Sequence, residues 1–204
     1  MQQAESGGLP SGYQQIEYIR ATGTQYIDTG TVPYTNTVAQ IKFKNLQETG
    51  NVIFGYYNGN DQTDWRLFNH LGHPYFDLPV YSGNTGKRLS SSTSVLIPEN
   101  TIKEIELGNF YVMDMENDDK IFTTASQFIG TDTITLGKYT KNNGDSTFSK
   151  NEWYYVRIFD GNTIVRDMIP CRRNADGEIG MYDIVTGNFF TNQGTGSFGA
   201  GSDV

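Results

Sequence analysis

The residues best suited to bind a ligand are concentrated between positions 56 and 77. This segment combines aromatic rings, carboxylates and imidazoles, and its candidate contact residues are Tyr56, Tyr57, Asp61, Asp64, Trp65, His70, His73 and Tyr75. An aromatic ring can stack on the C–H face of a sugar, while carboxylates and imidazoles hydrogen-bond the sugar hydroxyls. The segment therefore predicts an aromatic platform for a glycan. The competing interpretation places Trp65 and Phe68 in the hydrophobic core.

Metal binding is the second chemistry that this segment suggests. His70 and His73 are spaced to share a metal, but no third ligand is identifiable, and structural zinc sites need four. Asp61 and Asp64 offer oxygen ligands to calcium, although EF-hand spacing is absent. We therefore expect no cofactor, with calcium as the alternative.

A pair of acids further along the chain suggests glycoside hydrolysis. Val112, Asp114 and Glu116 alternate and would share one face of a strand, with the two carboxylates about 6 to 7 Å apart. β-Sandwich glucanases use a related strand motif with three alternating acids, but Val112 occupies the leading position here. The alternative is a solvated face of an edge hairpin, and we predict that the protein is not an enzyme.

Composition excludes several other classes of partner. The chain has 204 residues and a net charge of −8, which argues against binding duplex nucleic acid or anionic membrane surfaces. No apolar run approaches the roughly 20 residues of a membrane span, so no membrane insertion is expected. The first residues lack the features of a signal peptide, so export by the usual secretory route is not expected. Cys171 is the only cysteine, and we expect a buried, apolar role for it.

The local sequence pattern predicts an all-β protein. Short runs such as "TNTVAQIKFKN" alternate between apolar and polar residues, and Gly, Asn and Asp punctuate them. About a dozen short strands at this spacing indicate a two-sheet antiparallel sandwich, with at most one short helix at 123–129. The hairpin in "EWYYVRIFDGNTIVRDMIP" should turn at 160–162 and stop at Pro170. Residues 1–8 and 199–204 are interpreted as flexible tails around a domain at 9–198.

The two ends of the domain are built alike. "GTQYIDTG" begins at Gly23 and "TGNFFTNQGTG" at Thr186, and each places aromatic residues between Thr and Gly. An antiparallel sandwich commonly brings its first and last strands together, which covers exposed edges. These segments are therefore predicted to be neighbouring strands and not an internal repeat.

The same ends resemble a known group of domains. "LPSGYQQIEYIRATGTQYIDTG" is similar to the opening, and "WYYVRIFDGNTIVRDMIPCRRNADGEIGMYDIVTGNFFTNQGTGSF" to the closing segment, of laminin-G-like, concanavalin A-like jelly-roll domains. Such domains are common in virion proteins of tailed phages and in surface proteins of gut bacteria. The resemblance implies a two-sheet jelly roll with a non-catalytic role. The segment "MDMENDD" departs from the related pattern, which often reads I-D-G there.

Three functional hypotheses follow. The first is a glycan-binding or adhesion module on a phage particle, or alternatively on a bacterial surface, that contacts host or mucus carbohydrate. The second is a decoration or assembly protein of a phage head or tail, which contacts other virion proteins and forms homo-oligomers. The third is an enzyme related to glycoside hydrolases.

Overall fold

The structure is a computed structural model that describes residues 8–47, 50–57, 65–70, 73–77, 97–108, 111–122, 129–140, 144 and 146–204. Within these ranges the chain forms strands β1 (Tyr13–Gln15), β2 (Ile19–Arg20), β3 (Ile27–Asp28), β4 (Thr37–Asn45), β5 (Asn51–Tyr56), β6 (Trp65–His70), β7 (His73–Asp77), β8 (Ile102–Leu107), β9 (Tyr111–Asp114), β10 (Asp119–Phe122), β11 (Thr135–Leu136), β12 (Lys138–Thr140), β13 (Ser146–Phe148), β14 (Asn151–Asp160), β15 (Thr163–Arg173), β16 (Ile179–Asp183), β17 (Phe189–Thr191) and β18 (Gly199–Ala200).

These strands form two main antiparallel sheets. The larger sheet has eleven strands, with the path β10-β9-β8-β4-β14-β15-β16-β17, while β1, β2 and β18 pair outside that path. The smaller sheet has five strands in the order β3-β11-β5-β6-β7, and β12 and β13 form a separate hairpin. The predicted all-β, two-sheet antiparallel sandwich is confirmed, and it is consistent with a jelly roll. The described residues include no helix, and hence no helix that could span a membrane.

The core lies between the two sheets and follows from alternation along the strands. In β4 every second residue is buried, so that Ala39, Ile41 and Phe43 point inward while the residues between them point outward. The smaller sheet contributes residues such as Trp65 and Leu67 to the same buried cluster. The lone thiol of Cys171 is also buried, as expected, and this burial raises its pKa to about 12.

The long hairpin β14–β15 confirms one sequence prediction and corrects another. Asp160 pairs with Thr163, so the turn lies where the sequence placed it. The strand does not stop at Pro170 but continues to Arg173. Pro170 can lie within β15 because, on one side, the neighbour of β15 changes near this residue from β14 to β1. The missing N–H therefore interrupts no continuous ladder.

The two ends of the domain meet, as predicted. The amide of Gln193 donates to the carbonyl oxygen of Tyr26 at 2.9 Å, and the amide of Thr195 donates to the carbonyl oxygen of Thr24 at 3.2 Å. These bonds connect the loop after β17, at one edge of the larger sheet, with the approach to β3, at one edge of the smaller sheet. They close one side of the sandwich.

Residues 199–204 do not form the flexible tail that the sequence suggested, and that prediction is wrong. Strand β18 pairs with β2, and Asp203 forms a bridge with Ile16. The amide of Val204 donates to the carbonyl oxygen of Gln15 at 3.1 Å. Glycine and small residues let this segment approach β1 and β2 closely enough to satisfy their backbone groups. Residues 1–7 lie outside the described residues, as do residues 123–128 of the short helix considered at 123–129, whereas Ile129 forms an isolated bridge with Tyr34.

Two charged residues of the closing motif, Asp183 and Arg166, stabilise this junction. The buried carboxylate of Asp183 accepts hydrogen bonds from the amide of Asp167 at 2.8 Å and from the hydroxyl of Thr186 at 2.6 Å. It also lies 3.7 Å from Nε of Arg166. Arg166 in turn donates to the carbonyl oxygen of Thr29 at 3.0 Å, which connects the larger sheet to the segment after β3.

Candidate ligand-binding cleft

The outer face of the smaller sheet carries a row of aligned residues. Thr135 on β11, which lies between β3 and β5, is paired with Asp28 on one side and with Gly55 on the other, and Gly55 is paired with Arg66. Their neighbours Ile27, Phe54, Trp65 and Leu136 point into the core. Because side chains alternate between the faces of a strand, Asp28, Thr135 and Arg66 lie on the face away from the core.

A cleft with a volume of about 80 Å³ opens on this face. Its walls combine aromatic rings with hydroxyl and charged groups: Tyr26, Asp28, Gly55, Tyr57, Asp132, Thr133, Thr135, Lys138, Tyr139 and Thr140. These residues come from β3 and the residue before it, the end of β5 and the residue after it, β11 and the segment leading into it, and β12. The cleft is thus built where the β12–β13 hairpin adjoins the smaller sheet.

Gly55 allows two strands of this face to approach each other closely. Its φ of +136° is a backbone conformation that side chains disfavour. A Cβ atom at this position would lie 2.4 Å from Cα of Arg66 and 2.5 Å from the carbonyl oxygen of Trp65. Only glycine fits here, and it leaves the floor of the cleft without a side chain.

Arg66 supports one wall of the cleft from beneath. Its guanidinium carbon lies 3.8 Å from the ring centroid of Tyr57 and 4.9 Å from that of Tyr139, and the residue is 5% exposed. The two tyrosine rings also meet edge to face at 5.0 Å. Cation–π contacts of this kind fix the orientation of the tyrosine rings, and the guanidinium charge stays buried behind them.

Among the described residues, Lys138 is the cation that lines the cleft itself. Its ammonium nitrogen lies 4.2 Å from the ring centroid of Tyr26. It forms no ion pair with any residue in the described ranges. An ammonium group has three N–H donors, so Lys138 retains donors for a ligand.

Two carboxylates line the cleft, and each has one oxygen committed to its own loop. Oδ1 of Asp28 accepts a hydrogen bond from the amide of Gly30 at 2.8 Å, and Oδ1 of Asp132 accepts one from the amide of Thr133 at 2.8 Å. Within the described part of the chain, Oδ2 of Asp28 and Oδ2 of Asp132 accept no hydrogen bond. These two oxygens are therefore acceptors that a ligand can use.

The hydroxyl groups of the cleft also fall into two classes, those bonded within the fold and those without a partner among the described residues. The hydroxyl of Thr135 donates to the carbonyl oxygen of Lys138 at 2.5 Å, so it serves the fold. The phenol groups of Tyr26 and Tyr139 and the hydroxyl of Thr133 have no hydrogen-bond partner among the described residues. The cleft thus presents carboxylate, phenol, hydroxyl and ammonium groups together.

The structure redistributes the site residues that the sequence suggested. Tyr57 lines the cleft, but Trp65 and Tyr56 are buried. The phenol of Tyr56 hydrogen-bonds Thr131 instead. The prediction that Trp65 and Tyr56 present ring faces to a sugar is therefore wrong, because the side of β6 that carries Trp65 faces the other sheet.

The remaining predicted residues cannot be placed at side-chain level. Asp61 and Asp64 lie outside the described residues. The backbones of His70 and His73 pair across β6 and β7, and Tyr75 lies on β7, but only the backbone is described for these three. Among the side chains that are described, no group of three or more His, Cys, Asp or Glu residues is arranged to hold a metal ion.

The acidic pair that suggested hydrolysis is held by a lysine. Asp114 is buried at the end of β9, whereas Glu116 lies in the following turn, and Nζ of Lys103 contacts them at 2.8 and 3.3 Å. Burial alone would raise the pKa of Asp114, but hydrogen bonds from Lys103, the amide of Glu116 and Asn117 together lower it. A general acid in glycoside hydrolysis needs a raised pKa, so this geometry does not suit Asp114 to that role.

A second acidic pair, which the sequence analysis missed, lies on the outer face of the larger sheet. Glu104 and Glu106 alternate on β8. Glu106 accepts hydrogen bonds from Gln40 at 2.7 Å and Tyr111 at 2.6 Å, and Glu104 accepts one from Tyr155. Burial and these hydrogen bonds raise the pKa of both phenols above its ordinary value, so both remain protonated donors.

The cleft itself was also missed, although its segments carried a signal. "QYID" around Ile27 and "TITLGKY" around Leu136 alternate apolar and polar residues, which identifies Asp28 and Thr135 as outward-facing. Their adjacency depends on β11 inserting between β3 and β5, and no local pattern specifies that pairing.

Fold and site together define an antiparallel β-sandwich with a polar, tyrosine-lined cleft on its smaller sheet. Comparison with models of known protein families finds no match, and comparison with curated proteins finds no significant relative. The functional argument therefore depends on the geometry of the cleft.

Proposed function

We propose that this protein is a non-catalytic carbohydrate-binding domain and that the cleft on the smaller sheet is its binding site. The observation that carries the proposal is the group of unpaired polar atoms there. Asp28, Asp132 and Lys138 line one cleft, and Oδ2 of each aspartate and Nζ of the lysine have no hydrogen-bond or ion-pair partner among the described residues.

This combination of groups suits a sugar. Sugar hydroxyls donate to carboxylate oxygens and accept from ammonium and phenol groups, and the cleft supplies both kinds of partner. Tyrosine rings frame it, which is typical of sites that combine apolar surface with a few placed polar groups. The open shape favours contact with part of a glycan over enclosure of a small molecule.

The setting that we propose is the surface of a phage particle, where the domain would contact host or mucus carbohydrate. The support is the resemblance of the opening and closing segments to jelly-roll domains of tailed-phage virion proteins. A bacterial cell surface is the alternative. A shallow site suits weak single contacts, and repetition of the domain on a particle would raise the effective affinity.

A multivalent glycan array provides the first test. The full chain, displayed on beads, should bind a subset of host-surface or mucin glycans and release no new reducing ends from them. Lys138→Met should reduce binding, whereas Lys120→Met, which removes a lysine from β10 of the larger sheet, should leave it unchanged. Failure of folded wild-type protein to bind any glycan would overturn the proposal and favour a decoration protein that acts through protein contacts.

A further inference from the structure

We propose that the cleft selects an uncharged sugar with free hydroxyl groups and binds it through those hydroxyls. This inference rests on the proposed function and specifies its ligand class. It follows from the charges that line the cleft and from the two cations, Arg66 and Lys138, that already lie over the tyrosine rings.

Acidic glycans are disfavoured by the carboxylates. Among the described residues, Asp28 and Asp132 line the cleft, against one lining cation, Lys138. The other nearby cation, Arg66, is 5% exposed and packed against Tyr57 and Tyr139, so a ligand cannot reach it directly. A sialylated, uronic or sulfated sugar would therefore bring its charge toward two like charges.

The cations already placed on the rings weaken the attraction of the cleft for a cationic ligand. Tyrosine faces attract ammonium groups, and an acidic, aromatic cleft would suit an amino sugar if those faces were open. Here Arg66 covers one face each of Tyr57 and Tyr139, and Lys138 covers one face of Tyr26. Repulsion from Lys138 therefore offsets part of the attraction that Asp28 and Asp132 would exert on a second cation.

An uncharged sugar avoids both conflicts. Its hydroxyls can donate to Oδ2 of Asp28 and Oδ2 of Asp132 and accept from Nζ of Lys138. A carboxylate only accepts, so the sugar hydroxyls facing Asp28 and Asp132 must keep their hydrogens. Methylation of those hydroxyls should therefore abolish the contact.

The decisive experiment compares matched oligosaccharides by isothermal titration calorimetry. The set would contain one neutral oligosaccharide chosen from the array and its sialylated, sulfated, de-N-acetylated and O-methylated counterparts. We expect the neutral form to bind, the sialylated and sulfated forms to bind at least about fivefold more weakly, and the de-N-acetylated form to bind no more tightly than the neutral form. Affinity for the neutral form should change less than about twofold between about 50 and about 500 mM salt, because no charge pair is formed with the ligand.

A substitution at Asp28 tests the assignment of the acceptor. Asp28→Asn keeps the oxygen that accepts from Gly30, so folding should be retained, which the unfolding midpoint would verify. We expect about tenfold weaker binding of the neutral sugar, and a smaller penalty for the sialylated one. Asp160→Asn, an exposed change at the β14–β15 turn, is the matched control and should alter neither affinity.

The outcomes separate this inference from the proposed function. Preference for an acidic or amino sugar, strong salt dependence, or an unchanged affinity in Asp28→Asn would overturn the selection of neutral sugars while leaving glycan binding intact. Absence of binding to every glycan, by protein that unfolds normally, would overturn both.

Discussion

The outer faces of the two sheets carry similar residues but use them differently. On the larger sheet, Glu104 and Glu106 accept hydrogen bonds from tyrosine phenols and a glutamine of neighbouring strands. On the smaller sheet, Asp28 and Asp132 each keep one oxygen without a protein donor among the described residues. The spacing of the carboxylates alone would favour the larger sheet as the functional face. The smaller sheet is favoured instead because its carboxylates keep oxygens that no described protein group occupies.

This contrast separates two uses of a polar side chain. A group whose partners all belong to the fold contributes to stability, and its removal leaves a partner unsatisfied. A group that the fold leaves open contributes little to stability and is available for recognition. Substitutions in the two classes should therefore affect different measurements.

The largest effect on stability is expected from the floor of the cleft. Gly55→Ala would introduce a Cβ atom 2.4 Å from Cα of Arg66 at a φ of +136°. Backbone strain and overpacking together should lower the free energy of unfolding by about 4 kcal/mol, measured by urea denaturation. Gly161→Ala, where φ is +56° and the space is open, should cost only about 1 kcal/mol. Equal losses in the two variants would show that β5 and β6 are not so closely apposed.

The next effect tests a buried group whose partners lie within the fold. Asp183→Ala removes the acceptor for the amide of Asp167 and the hydroxyl of Thr186, and the ion-pair partner of Arg166. We expect a loss of about 3 kcal/mol in chemical denaturation, because buried donors lose their partner. Asp160→Ala at the exposed turn should change stability by less than about 0.5 kcal/mol. A loss at Asp183 as small as that at Asp160 would contradict the junction described here.

A smaller and pH-dependent effect is expected at Asp114. Its pKa is lowered in the folded state, so its contribution is present above the ordinary aspartate pKa of roughly 3.9 and is lost as pH falls through the folded-state pKa. Asp114→Asn should therefore lower the free energy of unfolding by about 2 kcal/mol at neutral pH. The difference from wild type should shrink below about pH 4.

The control for this pH dependence is the exposed neighbour across the hairpin. Asp119 pairs with Asp114 in the strand register but is exposed, so Asp119→Asn should show little effect at any pH. If the free energies of unfolding of Asp114→Asn and wild type differed by the same amount at about pH 3 and at neutral pH, the Lys103 contact would not be the cause.

The smallest effects sharpen the comparison most, because they come from the same chemical change on the two faces. Tyr155→Phe removes the phenol that donates to Glu104 and should cost about 1 kcal/mol of stability without changing glycan affinity. Tyr139→Phe removes a phenol that has no hydrogen-bond partner among the described residues. It should leave stability nearly unchanged and weaken glycan binding about fivefold. The reverse pattern would assign recognition to the larger sheet.

The sequence predicted the fold well because its signals are local. Alternation in β4, and the Asp-Gly-Asn turn between β14 and β15, specify strands and a hairpin without knowledge of their partners. The similarity between the segments that begin at Gly23 and Thr186 also correctly predicted that the two ends of the domain meet. Pro170 was misjudged because its tolerance depends on which strand lies beside it.

The candidate site was predicted poorly because it depends on long-range pairing. Trp65 resembles a sugar-stacking residue in sequence, and only the face of β6 that meets the core decides that it is buried. Asp28 and Lys138 are far apart in the chain, and β11 brings them together. Whether a carboxylate has a donor from a distant strand is likewise invisible in local sequence.

The most direct test of the comparison is a backbone amide NMR titration of the full chain with the neutral oligosaccharide selected by the array. We expect the chemical shift changes to concentrate at residues 26–28, 55–57 and 132–140, around the cleft, with affinity that is nearly independent of salt. Changes concentrated at residues 104–106, 111–113 and 155–157 would place recognition on the larger sheet and contradict the account.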